Sequence, residues 1–229
     1  MIAKTAYKYH CIEQFEKWYE NFQRREYEIC NEISESHVKL NKEILQNKVW
    51  DTDEENNIAY ITGVLFMGLK EFIQITELIS DTEWHFDNQQ TERIWNLMWN
   101  CIERFKFCSV YFQTEVFTWI QTVLQSLYDY FIDLFGLGIY SSPEIFISKE
   151  ICSICQQDTR ACIHINGRLY SGKMCSSIPQ DIKLHSVAFV TVPRDPRCRI
   201  WSWNMKEDST ITTAILTLFR IDDWLIDEK

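Results

Sequence analysis

Proline is absent from the first 142 residues of this 229-residue chain, and glycine occurs only four times before Pro143. Proline removes a backbone donor and clashes with the preceding turn, and glycine weakens a helix through backbone entropy. Their scarcity excludes a turn-rich β fold for this part and leaves room for long helices. Long apolar runs are scarce as well. The longest, Ile58 to Leu69, contains Thr62 and closes on Lys70 and Glu71. It falls short of the roughly 20 residues needed to span a bilayer, so it reads as a buried helix and no membrane span is expected. The opening MIAKTAYKYHCIEQFEKWYE lacks the apolar core of a secretory signal. Missing too are Gly-x-Gly-x-x-Gly, Gly-x4-Gly-Lys-Ser/Thr, Gly-x-Ser-x-Gly and His-Glu-x-x-His, which removes the commonest nucleotide-binding and hydrolase signatures.

Hydrophobic residues make up 46% of the chain and aromatics 14%, enough for a substantial core and too much for general disorder. Nine cysteines, an odd number without a signal segment, point to a reducing, cytoplasmic setting rather than a disulfide framework. The net charge of −10 is uneven. Residues 1–148 hold 12 Lys/Arg against 23 Asp/Glu, residues 149–206 hold 9 against 4, and residues 207–229 hold 2 against 6. An acidic body therefore carries a basic insert.

Apolar residues at three- and four-residue steps (Ile12, Phe15, Trp18, Tyr19, Phe22) predict a first helix from about Lys4 into the forties. The serines of Ile33–Ser36 are its expected break, and Asp51–Asn57 an expected polar loop. A second helix is predicted from Ile58 to about Ser80. Further helical pattern, as one bent helix or two, covers residues 90–135 and stops at Gly136 and Gly138. Beyond Pro143 the character becomes β. EIFIS reads as a short strand, HSVAFVTV and CRIWSW as a hairpin or neighbouring strands, and TITTAILTLFRI as a further strand. The expected class is α+β, with an α-helical bundle over residues 1–140 and a small zinc-stabilised β-rich module over residues 141–229.

The stretch CSICQQDTRACIHINGRLYSGKMC, residues 152–175, gathers four cysteines and a histidine among polar neighbours. Cys152 and Cys155 have the Cys-x2-Cys spacing that one tight turn folds around a metal, and zinc takes four such thiolate or imidazole ligands. Cys175 is the expected third ligand, because Gly167 and Gly172 let the chain reverse before it, with Asn166-Gly167 the expected hairpin turn. The fourth place lies between Cys162 and His164. One of the two is expected to turn away from the metal, with His164 favoured as ligand. No Glu lies between Cys152 and Cys175, unlike the zinc deaminase pattern, which favours a structural Zn²⁺ over a catalytic one.

Arg160, Arg168, Lys173, Arg194, Arg197 and Arg199, interleaved with Tyr170, Trp201 and Trp203, form a candidate surface for a protein partner or for nucleic acid. The remaining histidines, His10, His37, His85 and His185, read as surface or capping residues. Cys101 and Cys108, seven apart, read as core packing beside Phe105. Asp222 and Asp223 pair two carboxylates as a nuclease or hydrolase would, without visible companions. The expected function is a non-catalytic zinc-binding adaptor or scaffold, zinc finger-like, acting by protein–protein interaction. A nucleic-acid-binding component is the second reading and a metal-dependent hydrolase or nuclease the third. A protein partner or a homo-oligomer is expected, because the helices carry many aromatics, including Trp18, Trp95, Trp99 and Trp119, which either fill one bundle or meet a second chain.

Overall fold

A computed structural model describes residues 4–112, 114–201, 203 and 223–225. Five helices are followed by a small β region: α1 Lys4–Gln23, α2 Tyr27–Gln46, α3 Asp53–Ile79, α4 Asn88–Cys108 and α5 Glu115–Phe135, then β1 Ile139–Cys152, β2 Leu169–Tyr170, β3 Lys173–Met174, β4 Ser177–Val190 and β5 Arg199–Ile200. The chain is thus mixed, with its helices in the N-terminal part. Contacts divide it into two compact units. The first comprises Met1–Leu124, Leu169–Lys173 and Arg220–Lys229; the second comprises Gln125–Arg168 and Met174–Phe219.

In the first unit the predicted break at Ile33–Ser36 does not occur. Ser34 and Ser36 lie inside α2 and donate back to the carbonyls of Cys30 and Ile33, each at 2.9 Å, so the hydroxyls are satisfied within the helix. The chain instead turns at Arg24–Glu26, where Arg25 adopts a left-handed φ of 62°. The expected loop at Asp51–Asn57 is also displaced, because its acids build the first turns of α3. Thr52 caps that helix by accepting from the Glu55 N–H, and its hydroxyl donates to the Glu55 carboxylate at 2.6 Å. Carboxylates suit the positive end of a helix dipole. Residues 90–135 resolve into two helices, α4 and α5.

The core of this unit is aromatic. Trp18, Trp95 and Phe105 are fully buried, and Phe22 and Phe72 pack on Trp119 with ring centroids 5.4 and 5.8 Å apart. Trp18 and Trp95 therefore fill the bundle rather than offering an oligomer surface. Trp99 and Trp119 are half-buried. Cys101 and Cys108 are wholly buried, as their spacing implied. α3 is, among the described residues, the one helix long and apolar enough to cross a membrane by length and composition, and 78% of its most apolar window is buried within the protein. Deep in it, Glu71 pairs with Arg104 of α4. Gly68 lies where α4 approaches closely: a Cβ there would stand 3.3 Å from that of Arg104.

His37 is buried at 4% exposure, not at the surface as expected. Its ring stacks on Phe66 at 4.2 Å and lies 5.3 Å from that of His10, and its Nδ1 has no hydrogen-bond partner among the described residues. Desolvation, then the nearby His10, brings its pKa down from 6.5 to about 4. The neutral ring is the native form, so the stabilisation is complete above pH 6.5 and is lost as pH falls toward 4. Acid unfolding of the wild type should lose on the order of 2 kcal/mol across that window relative to His37→Phe, read by urea titration at several pH values.

In the second unit, β1 and β4 form a long antiparallel ribbon from Tyr140↔Val190 to Cys152↔Ser177, with a bulge between Glu144 and Ile145. HSVAFVTV and CRIWSW were expected to pair with each other. The order is instead β4-β1-β5, so β1 separates them, and β5 pairs only with Ile139 and Tyr140. The strand expected at EIFIS is thus only the middle of the 14-residue β1, which admits Pro143. TITTAILTLFRI, Asp222 and the Asp223 side chain lie outside the described residues.

Candidate metal centre

β1 ends and β4 begins at the cysteine-rich loop, so the ribbon presents that loop at one end. Its first turn is built on backbone hydrogen bonds. Gln156 N–H donates to the Cys152 carbonyl at 2.9 Å and Cys152 N–H to the Gln157 carbonyl at 2.8 Å, with Gln156 at a left-handed φ of 60°. This folds Cys152 and Cys155 toward one point. The other side closes by a reciprocal pair: Gly167 N–H donates to the Cys175 carbonyl and Cys175 N–H to the Arg168 carbonyl, both at 2.8 Å. Gly167, at φ 81°, supplies a left-handed position there. Asn166-Gly167 is not the hairpin loop, however. That loop is Ser171-Gly172, with φ of 49° and 74°, as a two-residue β-hairpin requires. Ser153 and Ser176 tie the strand ends, with Ser176 N–H donating to Ser153 Oγ at 2.8 Å.

The ligating atoms of Cys152, Cys155, Cys162 and His164 all lie within 4.8 Å of one another, a Cys3His group that can hold a metal ion. Cys175 stands beside it, its Sγ 3.7 Å from that of Cys152. Cys155 and Cys162 are 3.4 Å apart, sulfur to sulfur, and Cys162 Sγ is 3.2 Å from His164 Nδ1. A tetrahedron with Zn–S bonds of about 2.3 Å has S···S edges of roughly 3.8 Å, so these donors already stand near ligand spacing. They are far too separated for disulfides, which need about 2.05 Å.

Neither Cys162 nor His164 turns away. Residues two apart on an extended chain share a side, so both reach the cluster. Of the expected set Cys152, Cys155, Cys175 and His164, Cys175 stands outside the group, beside Cys152, and Cys162 takes a place within it. Backbone N–H groups also serve the sulfurs: Ile154 donates to Cys152 Sγ at 3.4 Å and His164 to Cys162 Sγ at 3.2 Å. Desolvation raises the Cys152 thiol, but the N–H groups of Cys155 and Ile154 and the thiols of Cys162 and Cys175 outweigh it and bring the group down to about 6. Cys162 is pushed up to about 11, by desolvation first and then by its cysteine neighbours, and Cys175 is raised in the same way. Cysteine ligands bind as thiolates, so metal binding here would release protons.

With five donors for four places, His164→Ala and Cys175→Ala should each keep one bound metal, since either leaves four. The double variant should lose it. Metal content after dialysis checks this directly; retention in the double variant would show that neither residue is a ligand.

Three of the candidate basic residues are engaged within the chain. Arg160 is bound through two nitrogens to Asp158, at 2.9 and 2.7 Å, and Arg197 is paired with Asp195 at 2.9 Å. Arg199 is buried, donates to the carbonyls of Phe135 and Gly136 at 3.0 and 2.9 Å, and lies 4.5 Å over the ring of Trp201. It caps the C-terminus of α5, where a cation is favoured. Trp201 is itself buried, stacked on Trp203 at 4.9 Å. Arg168, Lys173 and Arg194 are exposed, and Tyr170 is half-buried. Spacing could not reveal the capping role, because an Arg beside two Trp reads the same whether it faces solvent or a helix end. Compared with known proteins, the chain matches no family model, no curated protein and no solved structure.

Proposed function

We propose that the Cys152–Cys175 loop binds one structural Zn²⁺, and that the protein acts without catalysis, as an adaptor that docks a protein partner. The observation that carries the metal is the convergence of four donors, Cys152, Cys155, Cys162 and His164, within 4.8 Å of one another, with Cys175 beside Cys152. A catalytic zinc keeps a coordination position for water or substrate, whereas the four donors of this group would close all four places. The one carboxylate between Cys152 and Cys175, Asp158, is engaged by Arg160, which holds its carboxyl below the usual range.

A protein partner is favoured over nucleic acid because three of the candidate basic residues are engaged within the chain. Arg160 and Arg197 sit in ion pairs and Arg199 at a helix end. Elemental analysis of protein purified without added metal should give one zinc per chain. Binding to single- and double-stranded nucleic acid, titrated with salt, should be weak and lack the steep logarithmic slope of phosphate contacts. Metal-free protein that is fully folded, or tight salt-sensitive nucleic-acid binding, would overturn the respective half of this reading.

A further inference from the structure

The β1–β4 register sorts the ribbon into two unlike faces. Residues directly opposite in an antiparallel pair share a face, and alternate residues along a strand share it too. The pairs Ile145↔Leu184, Ile147↔Ile182 and Ile151↔Ile178 therefore stand on one side, and the bulge keeps Phe189 on that same side above them. The opposite side holds Glu144, Ser186 and Lys183, with Asp181 bonded to Ser148. This alternation is that of a sheet with one buried face. Yet the apolar face is open: Ile145 is 41% exposed, Ile147 38%, Ile178 37%, Ile182 51%, Leu184 54% and Phe189 60%.

Two physical arguments say that this face is covered. A two-stranded ribbon is marginal in water by itself, and β5 supports only its first two positions. A contiguous apolar patch of this size also exceeds what isolated exposed residues explain. With a free Ile, Leu or Phe side chain taken as on the order of 200 Å², the six leave roughly 500–600 Å² open, the top of the range for monomers.

We infer that the apolar face of the β1–β4 ribbon is a homodimer interface, packed against the same face of a second copy across a two-fold axis. Area supports this occupant. Two such faces bury about 1,100 Å², and the half-buried Val187 and Ile151 bring the total near the low end of a standard interface. Charge supports it equally. The face carries no acidic residue and one cation, Lys149 opposite Gln180, so it meets a copy of itself without like charges at its centre. An axis passing near Ile145–Leu184 and Ile147–Ile182 sets the bulky Phe189 end of one ribbon on the slimmer Ile178 end of the other. The two ribbons then form a pair of layers at the roughly 10 Å spacing of packed sheets. The inference does not depend on the zinc reading, since none of these six residues is a candidate ligand.

Sedimentation velocity of the full chain at tens of micromolar tests it. The expected mass is twice the 27.5 kDa of one chain, falling to a single chain on dilution. Leu184→Lys and Ile147→Lys should sediment as monomers with unchanged far-ultraviolet dichroism. Phe146→Lys, at an equally exposed position on the opposite face, should stay dimeric. Should the lysine variants fail to fold, Leu184→Ser and Ile147→Ser should raise the dissociation constant at least tenfold. A wild type that remains monomeric at every concentration would overturn the inference, and so would a dimer indifferent to all four apolar-face changes. The monomeric outcome would point to another segment of the same chain as the cover.

Discussion

Removing bound metal with a chelator, or replacing Cys152 and Cys155 together by Ser, should disorder residues 150–168 and 174–177 while leaving the helices folded. The reason lies in what else holds that loop. Its buried apolar groups amount to the ligand sulfurs of Cys152 and Cys175, while Ile163 and Ile165 are 92% and 49% exposed. There is no independent core to retain the loop once the metal leaves. Structural zinc in small peptides supplies an apparent binding energy of about 10–16 kcal/mol, far more than a few turn hydrogen bonds at about 1 kcal/mol each. The double variant keeps only Cys162, His164 and Cys175, one donor short of a closed tetrahedral site. By hydrogen exchange, amides such as those of Cys152 and Cys175 should change from protected to fast. The helical dichroism should persist, because Trp18, Trp95 and Phe105 bury themselves without help from the loop. Unchanged protection in metal-free protein would refute a structural metal.

The second large effect is expected at Glu71 and Arg104. Arg104 Nε donates to Glu71 Oε2 at 2.8 Å and its Nη2 to Oε1 at 3.3 Å, with the side chains 0% and 4% exposed. Asn100 supports the same carboxylate at 3.3 Å. Each charge has given up its water, so removing one leaves the other stranded in an apolar interior. Glu71→Ala or Arg104→Ala should cost about 3–5 kcal/mol by denaturant titration, a large share of a typical domain's 5–15 kcal/mol. Exchanging both at once, as Glu71→Leu with Arg104→Met, should cost much less, because no charge is then left unpaired. A single-variant loss below about 1 kcal/mol would mean that water reaches the pair.

What the residues disclosed in advance follows from the range of the interactions involved. Helices were legible because a 3.6-residue period is local, and the cysteine cluster because Cys-x2-Cys closes within one turn. Where the helices break was harder. Serine competes for backbone in isolation, yet Ser34 and Ser36 are content inside α2, and the true turn at Arg25 carries no glycine or proline. Strand partners were misassigned because β1 and β4 meet through a register set over many residues, which no short pattern encodes. The ligand set was legible as a list of five candidates. Its geometry depended on which side of an extended segment faced the turn, and two-residue spacing puts Cys162 and His164 together.

The division of the chain into units has a consequence for synthesis. The first unit includes Leu169–Lys173 from the middle of the second and Trp224 from beyond it. In it, the Gly172 N–H donates to the Asn57 side chain at 2.8 Å, and Trp224 packs where Gly63 has no side chain. A nascent helical bundle emerging from the ribosome is therefore unfinished, with the Gly63 side of α3 bare until Trp224 has been added. No single cut releases either unit whole. A fragment ending near residue 140 would carry that bare surface permanently and should be the most aggregation-prone piece of the protein.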